Sequence, residues 1–344
     1  MKRFVLFAIA FLFASLEGYS QSFAIRLTGG DQLCFHVADS THRKVEIVRM
    51  KAFGNIRPSL PEGELVIPST IKYKDTTYYV ISIGEAAFAD AEGLTSVSIP
   101  SSVRKIGDRA FSGCSRLKSI VFPSCKPSFG ENVFEKCDSL SRLSFGSDWK
   151  EVDLKVFADA VSLKEVSIPA RVTKLTGVKT LSSLERIEVD PNNQAFSSHD
   201  GMLYSKDGKT FYACPNARMG QVIVQEGTEK ILDGAFGSCE IVESLVLPSS
   251  ISEFAYDVFA DCAGLSRITL KSEIPPMTAR WNGSAVFAVV APNSQCTILV
   301  PKKSLSRYQT NICSAEGMYE SMQGNRKVAF GSDRMMSKTT VKKI

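Results

Sequence analysis

A phrase of 18 residues recurs along the chain, and this repetition limits the possible fold more than any other feature. It reads IGEAAFADAEGLTSVSIP at 83–100, IGDRAFSGCSRLKSIVFP at 106–123 and ILDGAFGSCEIVESLVLP at 231–248. Each copy carries a phenylalanine after Ala or Val, and these phenylalanines are spaced by 23 residues in a run of four and then in a pair. They are Phe88, Phe111, Phe134, Phe157, Phe236 and Phe259. A repeat of this length predicts a solenoid in which each copy forms one turn.

Four further apolar columns keep the same phase, five residues before and six, nine and eleven residues after each phenylalanine. The last two columns are two residues apart, as in Val97 and Ile99, which is the alternation of a strand with one buried face. Proline follows many of these strands, and it ends them because it has no backbone N–H to continue a ladder. With its degenerate copies, the pattern predicts about ten strands that form a sheet on one face.

Two stretches depart from the repeat, and each has the composition of a β-hairpin. GMLYSKDGKTFYAC, at 201–214, places two β-rich runs on either side of Lys-Asp-Gly. STIKYKDTTYYVIS, at 69–82, precedes the first full repeat and is expected to belong to a cap over the exposed apolar end. The predicted fold class is therefore an α/β-type leucine-rich-repeat solenoid with a parallel β-sheet on one face, a β-rich N-terminal cap and an inserted β-hairpin.

The predicted organisation has four segments. Residues 1–20 have a basic start, a short apolar run and small residues at the end, a pattern typical of a secretory signal peptide. Residues 21–82 are expected to form the cap, 83–301 the solenoid with its hairpin insertion at about 195–215, and 302–344 a C-terminal cap and tail. No later stretch is apolar enough to span a bilayer. We therefore expect an exported protein, located at the cell surface, in the medium or in the periplasm.

Four segments of the chain have the pattern of a known family: the repeat IPSSVRKIGDRAFSGCSRLKSIVFP, the entry GELVIPSTIKYKDTTYYVISIGEAAF, the insertion DGMLYSKDGKTFYACP and the exit CTILVPKKSLSRYQ. They resemble the BspA-like leucine-rich-repeat surface proteins, a class common in Bacteroidetes. The resemblance covers roughly residues 60–310. It implies a secreted or surface-displayed binding protein, since some relatives are linked to adhesion to host matrix proteins or to other bacteria. It brings no set of catalytic residues and no cofactor.

The outward face of the predicted sheet is the best candidate for a binding surface, because solenoids bind partners on extended sheet faces. Residues that alternate with the core columns are expected to point outward there. The candidate binding residues on the strands are Arg142, Ser144, Glu165, Ser167, Arg186, Glu188, Arg267 and Thr269. Charged and short polar side chains are also the ordinary content of any solvated strand, so the same residues are compatible with a face that binds nothing.

Trp149 and Trp281 are the only tryptophans, and both lie in predicted loops. An exposed loop tryptophan can anchor a protein partner or stack on a sugar, so both are included among the candidate binding residues. The alternative is that these rings pack over the edges of the solenoid. The preferred partner is a protein, either a host matrix protein or a bacterial surface protein. The second hypothesis is an envelope protein that binds glycans.

Composition and motifs favour neither nucleic-acid binding nor catalysis. A formal net charge of +5 over 344 residues is too small and too evenly spread to indicate a nucleic-acid partner. The sequence has no HExxH, Cys-x-x-Cys, GxSxG or phosphate-binding glycine motif, so we predict no metal, cofactor or catalytic site. An enzyme in the N-terminal segment would require His36, His42 and an acidic residue to converge.

Four of the nine cysteines lie three residues after a repeat phenylalanine, where other copies have Ala91 and Ala160. They are Cys114, Cys137, Cys239 and Cys262. Exchange with alanine predicts small buried slots with free thiols rather than disulfides. Among the remaining cysteines, the pair to test for a disulfide is Cys296 with Cys313.

Overall fold

The computed structural model describes residues 22–27, 31–49, 60–255, 258–259, 261–278, 296–308 and 340–343. The predicted signal peptide, Trp281 and Cys313 lie outside these residues. The chain divides into two compact units, Met1–Leu181 (unit 1) and Ser182–Ile344 (unit 2). Among the described residues, no helix combines the length and the apolar character that crossing a bilayer requires.

The strands of unit 1 are short. In chain order they are β1 Ser22–Arg26, β2 Gln32–Asp39, β3 Lys44–Val48, β4 Gly63–Val66, β5 Thr70–Tyr73, β6 Thr76–Ile83, β7 Leu94–Ser98, β8 Lys105–Ile106, β9 Ser119–Val121, β10 Ser128–Phe129, β11 Arg142–Ser144, β12 Glu151–Asp153, β13 Glu165–Ile168 and β14 Lys174–Thr176. Two short 3-10 helices, Leu154–Phe157 and Val178–Thr180, follow β12 and β14. Several turns return through a second short strand, so the solenoid contains little helix.

Two parallel ladders run through unit 1. The first has the order β4-β7-β9-β11, and the second runs through β6, β8 and β10. The register of the first ladder places Val97 opposite Ile120 and Ile120 opposite Leu143, so each predicted core column lies in line from turn to turn. At the N-terminal end, β1, β2 and β3 pair antiparallel, and β3 continues the second ladder through β6. These strands form the β-rich cap.

The repeat phenylalanines stack on one another inside unit 1. The ring centroids of Phe88 and Phe111 are 5.1 Å apart, those of Phe111 and Phe134 are 5.6 Å apart, and those of Phe134 and Phe157 are 5.2 Å apart. None of the four side chains is more than 1% exposed. Equivalent positions of successive turns lie above one another in a solenoid, which turns the 23-residue spacing into a continuous column of rings.

Two buried thiols of unit 1 occupy equivalent positions beside the ring column. Cys114 Sγ donates to the Phe88 carbonyl oxygen at 3.2 Å, and Cys137 Sγ donates to the Phe111 carbonyl oxygen at 3.2 Å. Burial raises the pKa of Cys114 to about 12 and raises that of Cys137 as well, so both thiols stay protonated at neutral pH. All four in-phase cysteines are buried and free, which confirms the interpretation of these positions.

The turns of Phe88, Phe111, Phe134 and Phe236 bend through left-handed residues two positions before and two positions after the phenylalanine. Arg109 and Gly113 have φ values of 52° and 76° in one turn, and Ala86 and Asp90 have values of 50° and 61° in another. This region costs a residue with a side chain about 1–2 kcal/mol. Hydrogen bonds between turns hold the conformation, for example from Ala86 N–H to the Asp108 carbonyl oxygen at 2.9 Å.

Unit 2 is also built of short strands. They are β15 Arg186–Val189, β16 Phe196–His199, β17 Met202–Ser205, β18 Thr210–Ala213, β19 Gly220–Ile223, β20 Lys230–Ile231, β21 Val242–Leu247, β22 Glu253–Phe254, β23 Arg267–Leu270, β24 Met277–Thr278, β25 Thr297–Val300 and β26 Thr340–Lys343. A 3-10 helix, Lys302–Ser304, follows β25.

Unit 2 has the same two-ladder plan. Its outer sheet has the parallel order β19-β21-β23-β25-β26, and its second ladder has the order β18-β20-β22-β24. The hairpin predicted at 201–214 is β17–β18, whose strands pair antiparallel, and β16 adds a third antiparallel strand through β17. The insertion joins the second ladder, because β18 pairs parallel with β20. Phe211 of β18 stacks on Phe236 at 4.7 Å, and Phe236 stacks on Phe259 at 5.7 Å. The insertion therefore supplies a ring to the column of unit 2.

Each outer strand predicted from the repeat is present in the described residues. The ten strands are β4, β7, β9, β11 and β13 in unit 1 and β15, β19, β21, β23 and β25 in unit 2.

Candidate functional site

The outer face of unit 1 is built by the residues of β4, β7, β9 and β11 that alternate with the core columns. The register arranges them in two rows: Glu64, Ser96, Ser119 and Arg142 in the first, and Val66, Ser98, Val121 and Ser144 in the second. Val66 and Val121 are 69% and 47% exposed. The face therefore combines hydroxyl groups with exposed apolar side chains.

Arg142 and Glu165 occupy equivalent positions on neighbouring turns of unit 1, at the starts of β11 and β13, and both are exposed. Within the described part of the chain, neither side chain has an ion-pair partner. Some other charged residues of unit 1 are paired, as Arg171 is with Asp148 at 2.8 Å. Arg142 and Glu165 are therefore available to a ligand. Ser144 and Ser167, on the same two strands, are exposed beside them.

Trp149 is not available to a ligand. Its side chain is 2% exposed and packs on Phe122 and Phe145, with ring centroids 5.4 and 5.2 Å away. Its Nε1 donates to the Pro123 carbonyl oxygen at 3.0 Å, so the polar edge of the indole is satisfied inside the protein. The structure removes Trp149 from the candidate binding residues and agrees with the alternative that this ring packs onto the solenoid.

In unit 2, Arg186 and Glu188 bind each other. They are two residues apart on β15, so their side chains project from the same face of the strand. The two side chains form an ion pair. Arg186 also lies over the hairpin turn, where a Cβ at Gly201 would come within 2.8 Å of its Cγ. The sequence presents these two residues as independent charges, but the structure pairs them.

The outer sheet of unit 2 carries two further rows. They are Gln221, Ser244, Arg267 and Thr297 in the first, and Ile223, Val246, Thr269 and Leu299 in the second. Arg267 is exposed and, among the described residues, has no ion-pair partner. Ile223 is 52% exposed. The second row, which includes the candidate residue Thr269, is therefore partly apolar.

Asp200 and Arg218 form a charged group beside β15 that the repeat pattern does not reveal. Arg218 Nη1 donates to the Asp200 carbonyl oxygen at 3.0 Å, and Nη2 binds the Asp200 carboxylate. The Ile187 N–H donates to the Gly201 carbonyl oxygen at 2.8 Å, which ties the same turn to β15. These contacts join the insertion to the repeats. The insertion is not part of the 23-residue period, so the period cannot predict them.

The histidines of the cap bind separate partners. His36 Nδ1 lies 3.1 Å from Ser22 Oγ, and His42 Nδ1 lies 2.7 Å from Asp39 Oδ2. Hydrogen bonds from the His42 backbone and ring lower the pKa of Asp39. In the part of the chain that the structure describes, no three potential metal ligands come together. His36 and His42 therefore do not form the shared site that the enzyme hypothesis requires.

Comparison with known proteins gives a family and several solved structures. The family is described as BspA type leucine-rich repeat region, and it matches six copies over residues 68–189 and 207–281, more than half of the chain. No curated protein matches the chain. The pneumococcal vaccine antigen PcpA is 16% identical, over 84% of this chain and 96% of that one, with a TM-score of 0.47. A leucine-rich repeat protein from Bacteroides ovatus is 22% identical, over 80% of each chain, with a TM-score of 0.43.

Proposed function

Because this chain belongs to the BspA-type leucine-rich-repeat family, we propose that it is an exported, non-enzymatic module that binds a protein partner through its outer sheet faces. Membership of the family suggests a role in protein interaction or surface adhesion. The proposed partner is a host matrix protein or a bacterial surface protein. The proposed location is the cell surface, the medium or the periplasm.

The observation that carries this proposal is the composition of the outer face of unit 1. Exposed valines and hydroxyl groups share this face with Arg142, and Glu165 lies at the equivalent position of the next turn. Neither charged side chain has an ion-pair partner among the described residues. Arginine is enriched among the residues that dominate binding energy, and its charge steers a complementary partner into register. Such a face suits a protein surface that presents both charges and apolar groups.

Unit 2 offers a second, weaker candidate surface at Arg267 and Thr269. Arg186 and Glu188 already neutralise each other, so a ligand would have to break their pair before it used either charge. We therefore expect Arg142 to contribute more to binding than Arg186. The glycan alternative would rest on Trp281, since Trp149 is buried.

A binding assay with the chain from residue 21 onward, against host matrix proteins and a glycan array at two salt concentrations, tests the proposal. Arg142→Glu should weaken saturable protein binding by about tenfold or more, because charge reversal repels a partner that had accepted the arginine. Added salt should also weaken binding, since exposed charges are screened.

The matched control is Arg116→Glu, which makes the same charge change at an exposed turn position before β9. Equal losses in both variants would indicate a general charge effect and remove the face from the proposal. Protein binding that is insensitive to Arg142→Glu would do the same. Binding to glycans alone would favour the glycan hypothesis.

A further inference from the structure

The last strand that the structure describes, β26, lies along the edge of the outer sheet of unit 2. β26 pairs in parallel with β25 over four consecutive residues, from Thr297 opposite Thr340 to Val300 opposite Lys343, without a register shift. Residues 309–339 join β26 to the part of unit 2 that precedes it. The occupant of this edge is therefore a segment remote in sequence, whereas β19, β21, β23 and β25 follow one another along the chain.

β25 carries no charged residue, proline or bulge, which are three of the features with which proteins discourage pairing at an exposed edge. β25 reads TILV, and it pairs with β23 in unbroken register. Ile298 and Val300 are buried, and Thr297 and Leu299 are half-buried on the outer face. Without β26, the backbone groups along this edge of β25 would be unpaired and would offer a template of four residues to another strand.

β26 contains the charged residues that β25 lacks. It reads TVKK, with two lysines in four residues, and lysine is the residue most often used to protect an edge. The sheet therefore ends on a strand suited to be the last one. At full extension, residues 309–339 span on the order of 100 Å, which is long enough to reach the same edge on another molecule.

We propose that the edge of β25 is a strand-binding site and that it accepts the C-terminal segment of a second copy of this chain. The segment is SKTTVKKI, residues 337–344. An identical segment from another copy can form the same parallel ladder with β25. Exchange of β26 between two copies therefore uses only contacts that the single chain already makes. The chain's own segment competes at an effective concentration in the millimolar range, which keeps the single chain closed in dilute solution.

The first test uses a chain that ends at residue 336 and a fluorescent SKTTVKKI peptide. The truncated chain should bind the peptide saturably, and the intact chain should bind it at least about tenfold more weakly because its own strand competes. The control peptide carries Thr340→Pro and Val341→Pro, which keep its length and charge. Adjacent prolines remove amides from both sides of the strand, so this peptide should not bind. Equal binding of both peptides, or no binding by the truncated chain, would overturn the proposal.

Two further measurements test whether the truncated chain needs the segment to fold and whether the intact chain exchanges it with a second copy. If the truncated chain does not fold alone, SKTTVKKI added during refolding should restore the circular dichroism of the intact chain, and failure to do so would count against the site. Sedimentation velocity of the intact chain should show a dimer fraction that rises with concentration and falls when the peptide is added. A chain that stays monomeric throughout would exclude exchange between copies.

Discussion

At the scale of single residues, the repeat assigns the same task to each equivalent position. The in-phase cysteines show this best, because Cys262 Sγ donates to the Phe236 carbonyl oxygen at 3.0 Å in unit 2, as Cys114 does to Phe88 in unit 1. Ala91 fills the same slot without a donor. Small size and burial are therefore what the slot requires, and the thiol hydrogen bond is an addition.

Thiol labelling at pH 8 tests this assignment. Cys125 is exposed, whereas Cys114 is buried with its pKa raised to about 12, and only a thiolate reacts rapidly. We expect Cys125→Ser to remove one rapidly reacting thiol from the native chain. Cys114→Ala, the matched control, should leave that number unchanged until the chain is unfolded. A rapid thiol lost with Cys114→Ala would place that side chain at the surface.

At the scale of elements, the turns of the solenoid adopt a backbone that their residues do not prefer. Ala86 and Arg109 have positive φ values, yet neither is glycine. Hydrogen bonds to the next turn hold them there, including Arg109 N–H to the Glu131 carbonyl oxygen at 2.9 Å. Neighbouring turns therefore impose a conformation that local preference opposes.

Ala86→Gly should raise the free energy of unfolding by about 1 kcal/mol, because glycine adopts positive φ without the steric cost that alanine bears. The matched control is Ala110→Gly, at a buried position that is not among the positive-φ residues. There the substitution should destabilise by roughly 0.5–1 kcal/mol or more, because the unfolded chain gains freedom and a buried methyl is lost. Denaturant unfolding of both variants measures the two effects. The same sign in both would contradict the assignment of the turn.

At the scale of the whole molecule, the core of each unit is a column to which every turn contributes. In such an architecture, stability arises from each turn and from its contacts with the turns on either side. Phe111 is in stacking contact with both Phe88 and Phe134 and is 0% exposed. Truncating it therefore weakens two interfaces between turns at once.

Phe111→Ala should lower the free energy of unfolding by about 3–5 kcal/mol, because it opens a cavity in a packed column. Arg116→Ala, at an exposed position of the same turn, should change it by less than about 0.5 kcal/mol. Equilibrium unfolding in guanidinium chloride compares the two. A loss below about 1 kcal/mol for Phe111→Ala would contradict its place in the ring column.

The amino-acid sequence by itself determined the family, the solenoid fold, the outer strands and the core columns. It could do so because strand alternation and the 23-residue period are both expressed in the order of residues. It also indicated which side chains point outward from the sheet, including those of Arg142 and Arg267. Their role in binding stays a prediction.

Only the tertiary structure decided which of those candidates are free to bind. Trp149 turns inward onto Phe122, Arg186 pairs with Glu188, and Arg218 holds the hairpin turn through Asp200. The placement of β26 against β25 was equally hidden, since the two segments share no repeat phase. For Trp149, Arg218 and β26 the physical reason is the same: their contacts depend on where loops, insertion and tail meet the repeats in space, and a periodic pattern describes only the repeats. The Arg186–Glu188 pair lies within one strand, and there the side-chain conformations decide that the two charges bind each other.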